Sequence, residues 1–311
     1  MKIVTIIGTR PEVIKMSPLL EKLNKDFEHI LIHSGQHYDA NLDSVLFEEL
    51  HLPQPDYRLK TGAGSFSVQI SKQMKKIENV LIQESPEYVI VQGDTNTAMS
   101  GAIVAARLGI GVIHIESGCR SGNLLAAEEQ NRILIDSISS LRLCADKKSY
   151  NNLRKEKKEK NSIIVGSTTF DAVKRSSKLI PRRYFSRSGF RREKFVLATL
   201  HRAENLKELE SFRAKVELLN WVSELLPVVF PIHPRTKKFL RKNNIKLSSN
   251  IIKLEPLSNL KFISLLKNCL FVLSDSGGIQ EEAAAFDRPC FVLRNETEWT
   301  RLIKIGKNFL V

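Results

Sequence analysis

Residues 88–116 read YVIVQGDTNTAMSGAIVAARLGIGVIHIE and contain a strand, a helix and a second strand in close succession. The two apolar, β-branched runs, Tyr88–Gln92 and Val112–Glu116, enclose the helical pattern of Thr97–Leu108. Continuously apolar strands joined by a helix are typical of parallel strands that are covered on both faces of a sheet. This stretch therefore predicts an α/β fold.

The same alternation continues on both sides of this stretch. Further strands are predicted at Lys2–Ile7, His29–His33, Leu141–Cys144, Ser162–Val165, Phe195–Thr199, Val228–Ile232, Ile251–Leu254, Leu270–Ser274 and Cys290–Leu293. Further helices are predicted at Val13–Asn24, Ser67–Gln83, Glu128–Ser140, Leu206–Leu225 and Leu257–Leu266. The pattern restarts after a polar, basic stretch near residue 180, which predicts two α/β domains in tandem, 1–170 and 171–311.

Composition excludes several classes of protein. Hydrophobic residues make up 42% and charged residues 26% of the 311 residues, which is ordinary globular usage. No run approaches the roughly 18 apolar residues that a membrane helix needs. The four cysteines are scattered and form no C-x-x-C pair, so neither a disulfide framework nor a cysteine-rich metal site is indicated. We expect a soluble, cytoplasmic protein without membrane insertion.

The chain is strongly basic, with 48 basic and 34 acidic residues and a net charge of +14. Such an excess suits nucleic acid, an anionic membrane surface or a phosphorylated small molecule. The runs Lys147–Lys160 and Arg182–Lys194 hold much of it, and acidic residues within the first run favour a solvated helix. No nucleic-acid-binding signature accompanies them, so no nucleic acid partner is predicted.

Polar residues that directly follow the predicted strands are the candidates for function, because ligands of open parallel sheets bind at the carboxyl ends of strands. Arg10 and Lys15 follow the first strand, with Arg10 near a helix N-terminus that favours anions. Asp94 follows Tyr88–Gln92 and is either a functional carboxylate or the N-cap of the next helix. No G-x-G-x-x-G motif occurs, so a dinucleotide cofactor has no support.

Carboxylates recur around the next predicted strand and helix. Glu116 ends an otherwise apolar strand, where an unpaired buried charge would be costly. Glu128, Arg132 and Asp136 are spaced at i, i+4 and i+8, which is typical of a row of surface ion pairs. That interpretation suits Asp136 better than Glu128, which lies at the helix start.

The second half of the chain has its own candidates. His201 and its neighbouring arginine follow the strand Phe195–Thr199, and a similar His-Pro-Arg segment lies at 233–235. Residues 274–283, SDSGGIQEEA, place Ser276, Gly277 and Gly278 between a strand and a helix. Glycines and a helix N-terminus at such a junction suit a diphosphate, and a following carboxylate can accept two hydrogen bonds from a ribose.

Taken together and in this order, the motifs resemble the non-hydrolysing UDP-N-acetylglucosamine 2-epimerases. The matching segments are GTRPE (8–12), QGDTNT (92–97), HIESGCRS (114–121), EEQNR (128–132), LHRAEN (200–205), HPRTKK (233–238) and SDSGGIQEEA (274–283). The resemblance implies two Rossmann-like parallel-sheet domains that face each other across a cleft, the glycosyltransferase-B arrangement. It also implies inversion of carbon 2 of UDP-N-acetylglucosamine, without a nicotinamide cofactor or a metal.

The resemblance also implies roles for individual residues. Asp94, Glu116 and Glu128 match the family's catalytic carboxylates, in the N-terminal domain. Residues that match the UDP-binding positions are Arg10, Lys15, His201, Ser276, Gly277, Gly278 and Glu282, with Glu282 at the ribose. His201, near the diphosphate, is also expected to be catalytic. A UDP-sugar substrate, a homodimer and a role in polysaccharide biosynthesis are the implied partners and context.

Several alternatives stay open from the sequence. Family members usually continue for several dozen residues beyond the position of Val311, and the resemblance implies that the chain as given lacks a helix crossing back to the N-terminal domain. A hydrolysing epimerase, which releases N-acetylmannosamine and UDP, would use the same residues. An epimerase for a sugar modified at carbon 3 or 6 and a catalytically impaired UDP-sugar-binding protein are the other possibilities.

Overall fold

Two compact units, Met1–Ala172 and Val173–Val311, divide the chain, and each contains its own parallel β-sheet. The computed structural model describes residues 1–36, 40–62, 64–181, 183–186, 188–200, 208–297 and 299–311. None of the helices within these ranges combines the length and the apolar character that crossing a membrane would require.

The first unit is built on a seven-stranded parallel sheet with the strand order β3-β2-β1-β4-β5-β6-β7. Its strands are β1 (Lys2–Ile7), β2 (Glu28–His33), β3 (Tyr57–Arg58), β4 (Tyr88–Gln92), β5 (Gly111–Ser117), β6 (Leu141–Cys144) and β7 (Ser162–Ile164). Its helices are α1 (Arg10–Asp26), α2 (Ala40–Glu49), α3 (Phe66–Glu84), α4 (Asn96–Arg107), α5 (Ala127–Ile138) and α6 (Lys147–Lys155), and α7 (Thr168–Leu179) spans the unit boundary.

The second unit is built on a six-stranded parallel sheet with the order β10-β9-β8-β11-β12-β13. Its strands are β8 (Val196–Thr199), β9 (Val228–Pro231), β10 (Ile251–Leu254), β11 (Val272–Ser274), β12 (Cys290–Val292) and β13 (Asn308–Leu310). Its helices are α8 (Arg183–Ser186), α9 (Leu209–Leu225), α10 (Pro234–Lys242), α11 (Asn259–Asn268), α12 (Gly277–Ala285) and α13 (Thr300–Lys304).

The central strands show why this sequence makes sheets that are buried on both faces. In β8, Val196 and Ala198 belong to one apolar cluster and Leu197 belongs to another, as the alternation of side chains along a strand requires. All four residues of β8 are buried. In the first unit, β1 and β4 are similarly apolar and nearly fully buried. Continuous apolar runs are needed because helices cover both faces.

In each sheet the chain order reverses once, and this reversal places the candidate residues. The reversal lies between β1 and β4 in the first unit and between β8 and β11 in the second. Ligands of open parallel sheets bind at such points, beyond the carboxyl ends of the strands. Arg10 begins the helix directly after the turn that follows β1, Asp94 lies in the turn after β4, and Ser276 lies in the turn after β11.

Two short edge strands were not predicted. The strand β3 has two residues and β13 has three, and in β13 only Asn308 is buried. Edge strands of this length carry no continuous apolar run, so hydrophobic periodicity does not reveal them. Of the predicted helix Leu206–Leu225, residues 206 and 207 lie outside the described residues, and α9 begins at Leu209.

Candidate active site

Two strand ends in the first unit bring Asp94 and Glu116 together. The strands β4 and β5 are neighbours, and the Gly93 amide donates a hydrogen bond to the Ile115 carbonyl oxygen at 3.0 Å. Gly93 has a φ of +70°, and a Cβ atom there would lie 3.5 Å from Glu116 Oε2. The turn that positions Asp94 therefore runs directly beside the Glu116 carboxylate.

Asp94 is not the N-cap of the following helix. Thr95 has that role, because its Oγ1 accepts a hydrogen bond from the Ala98 amide at 3.0 Å. The Asp94 carboxylate instead pairs with the Arg132 guanidinium on α5. Burial raises the pKa of Asp94, the Arg132 charge opposes this, and the negative charge of Glu116 raises it further. The result is a carboxyl group whose pKa lies above its ordinary value.

Glu116 is buried at the end of β5 and pairs with Lys15. Only 6% of the side chain is exposed, and its Oε1 lies 2.7 Å from Lys15 Nζ on α1. The backbone of Glu116 has a φ of +66°, which non-glycine residues adopt rarely, and the pairing of β5 with β6 shifts register at this position. The side chain at this distorted position meets the ammonium group of Lys15.

Helix α5 carries the third candidate carboxylate, and its structure differs from the predicted row of surface ion pairs. Glu128 lies exposed in the first turn, and its charge contributes to raising the pKa of Asp94. Arg132 pairs with Asp94, and Asp136 is completely buried. The prediction for Asp136 is wrong because this face of α5 packs on the sheet, where its polar groups find buried partners.

Other residues of the same helix support the site and were not predicted. The Glu129 carboxylate accepts hydrogen bonds from the Ser121 amide at 2.8 Å and the Gly122 amide at 3.1 Å. The Asn131 side-chain amide donates to the Asp94 carbonyl oxygen at 2.8 Å. Both residues are buried. Buried polar groups need such hydrogen-bond partners. The sequence does not show that a polar face of this helix is buried, so these two residues could not be predicted.

Glu12 joins the turn after β1 to the turn after β4. Its Oε2 accepts hydrogen bonds from the Gly8 amide at 2.9 Å and the Thr9 amide at 2.8 Å. Its Oε1 accepts from Thr95 Oγ1 at 2.8 Å. The Thr9-x-x-Glu12 spacing is that of a capping box, a signal that could have identified Glu12 from the sequence. Burial raises the pKa of Glu12 to about 7, although its hydrogen bonds oppose the shift.

This raised pKa predicts a pH dependence of stability. An acid whose folded pKa is about 7 and whose unfolded pKa is near 4.5 is protonated more in the folded state between these values. Its contribution to stability is therefore present at low pH and is lost as pH rises from about 4.5 to about 7. We expect the difference in unfolding free energy between wild type and Glu12→Gln to change by up to about 3 kcal/mol across this range.

Urea unfolding at several pH values measures this difference. His29 and His33 titrate with the opposite sign, since burial lowers the pKa of each to about 4. Both are present in wild type and variant alike, so their contribution cancels in the comparison. A difference that stays constant between pH 4.5 and 7 would contradict the prediction.

Arg10 is the first residue of α1 and directly follows the turn after β1. Its side chain is partly buried, and its buried Nε has no hydrogen-bond partner among the described residues. An arginine at a helix N-terminus, with donors still available, suits an anionic ligand. Lys15 is predicted to bind UDP. In the structure its ammonium group contacts the Glu116 carboxylate directly.

The second unit has a separate candidate site where β11 meets α12. Ser276 is the N-cap residue of α12, Gly277 is its first residue, and Glu282 is partly exposed further along the helix. A Cβ atom added to Gly278 would meet no atom within 4 Å. The end of β11 is fixed by Ser274 Oγ, which lies 2.8 Å from Thr199 Oγ1 and accepts from the Ser276 amide at 3.0 Å.

The space beside Gly278, at the N-terminus of α12, is therefore open, as the binding of a diphosphate requires. His201, the remaining predicted residue, lies outside the described residues.

Comparison with known proteins identifies the relatives of this chain. The family model for UDP-N-acetylglucosamine 2-epimerase matches residues 21–311. The UDP-N-acetylglucosamine 2-epimerase of Methanocaldococcus jannaschii is 43% identical over 325 residues, which cover 100% of this chain and 88% of that protein. The UDP-2,3-diacetamido-2,3-dideoxy-D-glucuronate 2-epimerase of Pseudomonas aeruginosa is 38% identical, with 100% and 88% covered.

A solved structure agrees with these matches. The crystal structure of the Methanocaldococcus jannaschii UDP-GlcNAc 2-epimerase in complex with UDP-GlcNAc and UDP has a TM-score of 0.91 to this chain at 39% identity. The match covers 100% of this chain and 89% of that one. The predicted fold class, with two Rossmann-like domains of the glycosyltransferase-B type, is confirmed. The chain belongs to the UDP-N-acetylglucosamine 2-epimerase family of nucleotide-sugar epimerases.

Proposed function

We propose that this protein interconverts UDP-N-acetylglucosamine and UDP-N-acetylmannosamine by eliminating UDP and adding it back. The pairing of two adjacent carboxylates with separate cations carries the proposal: Asp94 with Arg132, and Glu116 with Lys15. Neighbouring strand ends hold both carboxylates at the edge where ligands of parallel sheets bind. The related epimerase solved with UDP-GlcNAc and UDP supports the choice of substrate.

The chemistry of carbon 2 explains the need for more than one carboxylate. The hydrogen on this carbon is not adjacent to a carbonyl, so enolisation cannot assist its removal. Elimination of UDP removes this proton and breaks the bond between carbon 1 and the diphosphate oxygen, which gives a 2-acetamidoglucal. Addition of UDP with protonation of the opposite face gives the epimer. Proton transfer on two faces requires acid–base groups on both sides of the sugar.

We assign Asp94, Glu116 and Glu128 to these proton transfers. Asp94 has a raised pKa, which brings a carboxyl group closer to the pH at which it can both accept and return a proton. Lys15 contacts the buried Glu116 side chain directly, with its Nζ 2.7 Å from Glu116 Oε1. Glu128 is exposed at the start of α5, so its carboxylate is accessible to a substrate.

We assign the diphosphate and the ribose to a second group of residues. The N-terminus of α12, with Ser276, Gly277 and Gly278, offers backbone donors and open space. Arg10 supplies a cation, and the Glu282 carboxylate suits the two ribose hydroxyls. His201 completes the proposed set at the departing diphosphate. A cofactor and a metal have no assigned role in this mechanism.

A sugar modified at carbon 3 or 6 is the second candidate substrate. The Pseudomonas aeruginosa relative, named for a diacetamido-uronate, matches the whole of this chain at 38% identity. Capture of the intermediate by water would instead release N-acetylmannosamine, and the same residues would serve. A homodimer, a cytoplasmic location and a supply of precursors for polysaccharide biosynthesis stay predictions.

Proton NMR in deuterated water tests the proposal. The protein is incubated with UDP-N-acetylglucosamine, and in parallel with UDP-2,3-diacetamido-2,3-dideoxy-D-glucuronate. We expect the epimeric UDP-sugar to appear with deuterium at carbon 2, because the returned proton comes from solvent. Free N-acetylmannosamine would indicate the hydrolysing reaction. No exchange at carbon 2 of either sugar, with UDP bound, would contradict the proposed epimerase activity.

A further inference from the structure

A buried polar network lies directly behind the two carboxylates of the first unit. His114 on β5 and Asp136 on α5 are both completely buried. His114 Nδ1 lies 2.7 Å from Asp136 Oδ1, and His114 Nε2 lies 2.8 Å from the Gly93 carbonyl oxygen. Gly93 immediately precedes Asp94, and His114 is two residues before Glu116. The imidazole therefore links the turn that carries one carboxylate to the strand that carries the other.

The Asp136 carboxylate holds the backbone that follows Glu116 in the chain. Its Oδ2 accepts hydrogen bonds from the Gly118 amide at 3.1 Å and from Arg120 Nη2 at 2.7 Å. Burial opposes ionisation of Asp136, but the hydrogen bond and charge of His114, followed by those of Arg120, hold the pKa of this carboxyl group well below its usual range. Because the Gly118 amide and the Arg120 guanidinium both donate to Oδ2, Asp136 is an ionised acceptor whatever the state of the imidazole.

Both ring nitrogens of His114 consequently face acceptors. The Gly93 carbonyl oxygen can only accept, and so can an ionised Asp136. A neutral imidazole has a single N–H and could satisfy only one of these partners. We propose that His114 is a positioning residue that carries a proton on both ring nitrogens and fixes the Gly93 carbonyl, and with it Asp94, beside Glu116. The effect of this positioning on turnover rests on the function proposed above.

The surroundings of the network compensate its charges. Arg120 Nε lies 2.8 Å from Glu156 Oε1, and Lys158 Nζ lies 2.9 Å from Glu156 Oε2, so Asp136 and Glu156 supply the negative charges around His114 and Arg120. Arg142 Nε donates to the Asp136 backbone carbonyl at 2.6 Å. Burial raises the pKa of the nearby Cys144 thiol to about 11, so this group is neutral at pH 7. A buried imidazolium is acceptable only with such partners.

Two features of the site explain the need for a rigid support. Asp94 and Glu116 are carboxyl groups at adjacent strand ends, and the charge of Glu116 helps to raise the pKa of Asp94. Glu116 also has a backbone conformation that non-glycine residues avoid. The network holds the backbone on both sides of this arrangement, at Gly93 through His114 and at Gly118 through Asp136.

Nitrogen-15 NMR of the ring nitrogens at pH 7 tests the protonation state without any substrate. We expect two protonated nitrogens in His114. His29 and His33 are internal controls with one protonated nitrogen each, because burial lowers the pKa of both to about 4. In Asp136→Asn the side-chain amide can donate to Nδ1, so His114 should lose that proton and keep its Nε2–H. A single proton on His114 in the wild-type protein would overturn the proposal.

A second experiment tests positioning, with His114→Gln as the variant and His29→Gln as the matched control. The His29 ring contacts the side chains of Asn24 and Thr5, away from both carboxylates. We expect kcat to fall about 100-fold in His114→Gln, as misplacement of a reacting group by about 1 Å can cause. KM and the Kd for UDP should stay within about three-fold, since binding is not altered.

The carbon-13 titration of the Asp94 carboxyl group gives a readout that needs no turnover. Its titration should shift in His114→Gln, because the distances to Arg132 and Glu116 change, and should not shift in His29→Gln. If wild type epimerises neither sugar, the proposed function fails while this titration and the ring-nitrogen spectrum still decide the positioning role. An unshifted Asp94 titration in folded His114→Gln would overturn that role.

Discussion

Asp94→Asn is expected to lower kcat by about 1,000-fold while leaving the Kd for UDP within a few-fold of wild type. Asparagine has the same shape but cannot accept or return a proton at carbon 2. The substitution should leave helix α4 intact, because Thr95 and not Asp94 caps its N-terminus. UDP affinity should persist because the residues assigned to the diphosphate and ribose are unchanged.

Initial rates from the NMR assay and calorimetric titration with UDP measure these two quantities. Asp26→Asn is the matched control, since Asp26 is an exposed aspartate at the end of α1. Circular dichroism checks that the loss of the pair with Arg132 does not unfold the chain. Turnover of Asp94→Asn within a few-fold of wild type would exclude Asp94 from proton transfer.

Gly278→Val is expected to weaken UDP binding by at least about 100-fold without unfolding the second unit. Backbone N–H groups at the start of α12 can approach a diphosphate closely only where no side chain intervenes. A Cβ at this position meets no protein atom within 4 Å, so a larger side chain would occupy the space assigned to the ligand. Valine is also a better helix residue than glycine, so stability should not fall.

Titration with UDP and thermal unfolding separate the effect on binding from an effect on folding. Gly278→Ala provides a graded comparison, with a smaller loss of affinity and an unchanged or slightly higher Tm. Wild-type affinity for UDP in a folded Gly278→Val protein would show that the diphosphate binds elsewhere. Together with Asp94→Asn, this variant distinguishes loss of chemistry from loss of binding.

The pairing of charges in the site depends on contacts that sequence patterns do not describe. Lys15 and Glu116 are 101 residues apart in the chain, yet their charged atoms are 2.7 Å apart. Arg132 and Asp136 have the spacing of surface ion pairs on α5, but the packing of that helix turns them toward Asp94 and His114. Spacing along a helix defines its faces without showing which face is buried.

The sequence by itself determined the α/β class, eleven of the strands, and the position of Asp94 and Glu116 at strand ends. It could do so because apolar runs, turn residues and helical periodicity are local properties of the chain. Tertiary structure alone decided that Thr95 caps α4, that Asp136 is buried, and that His114 faces two acceptors. These features arise where distant segments pack together, and a buried polar group takes its role from the partners that packing provides.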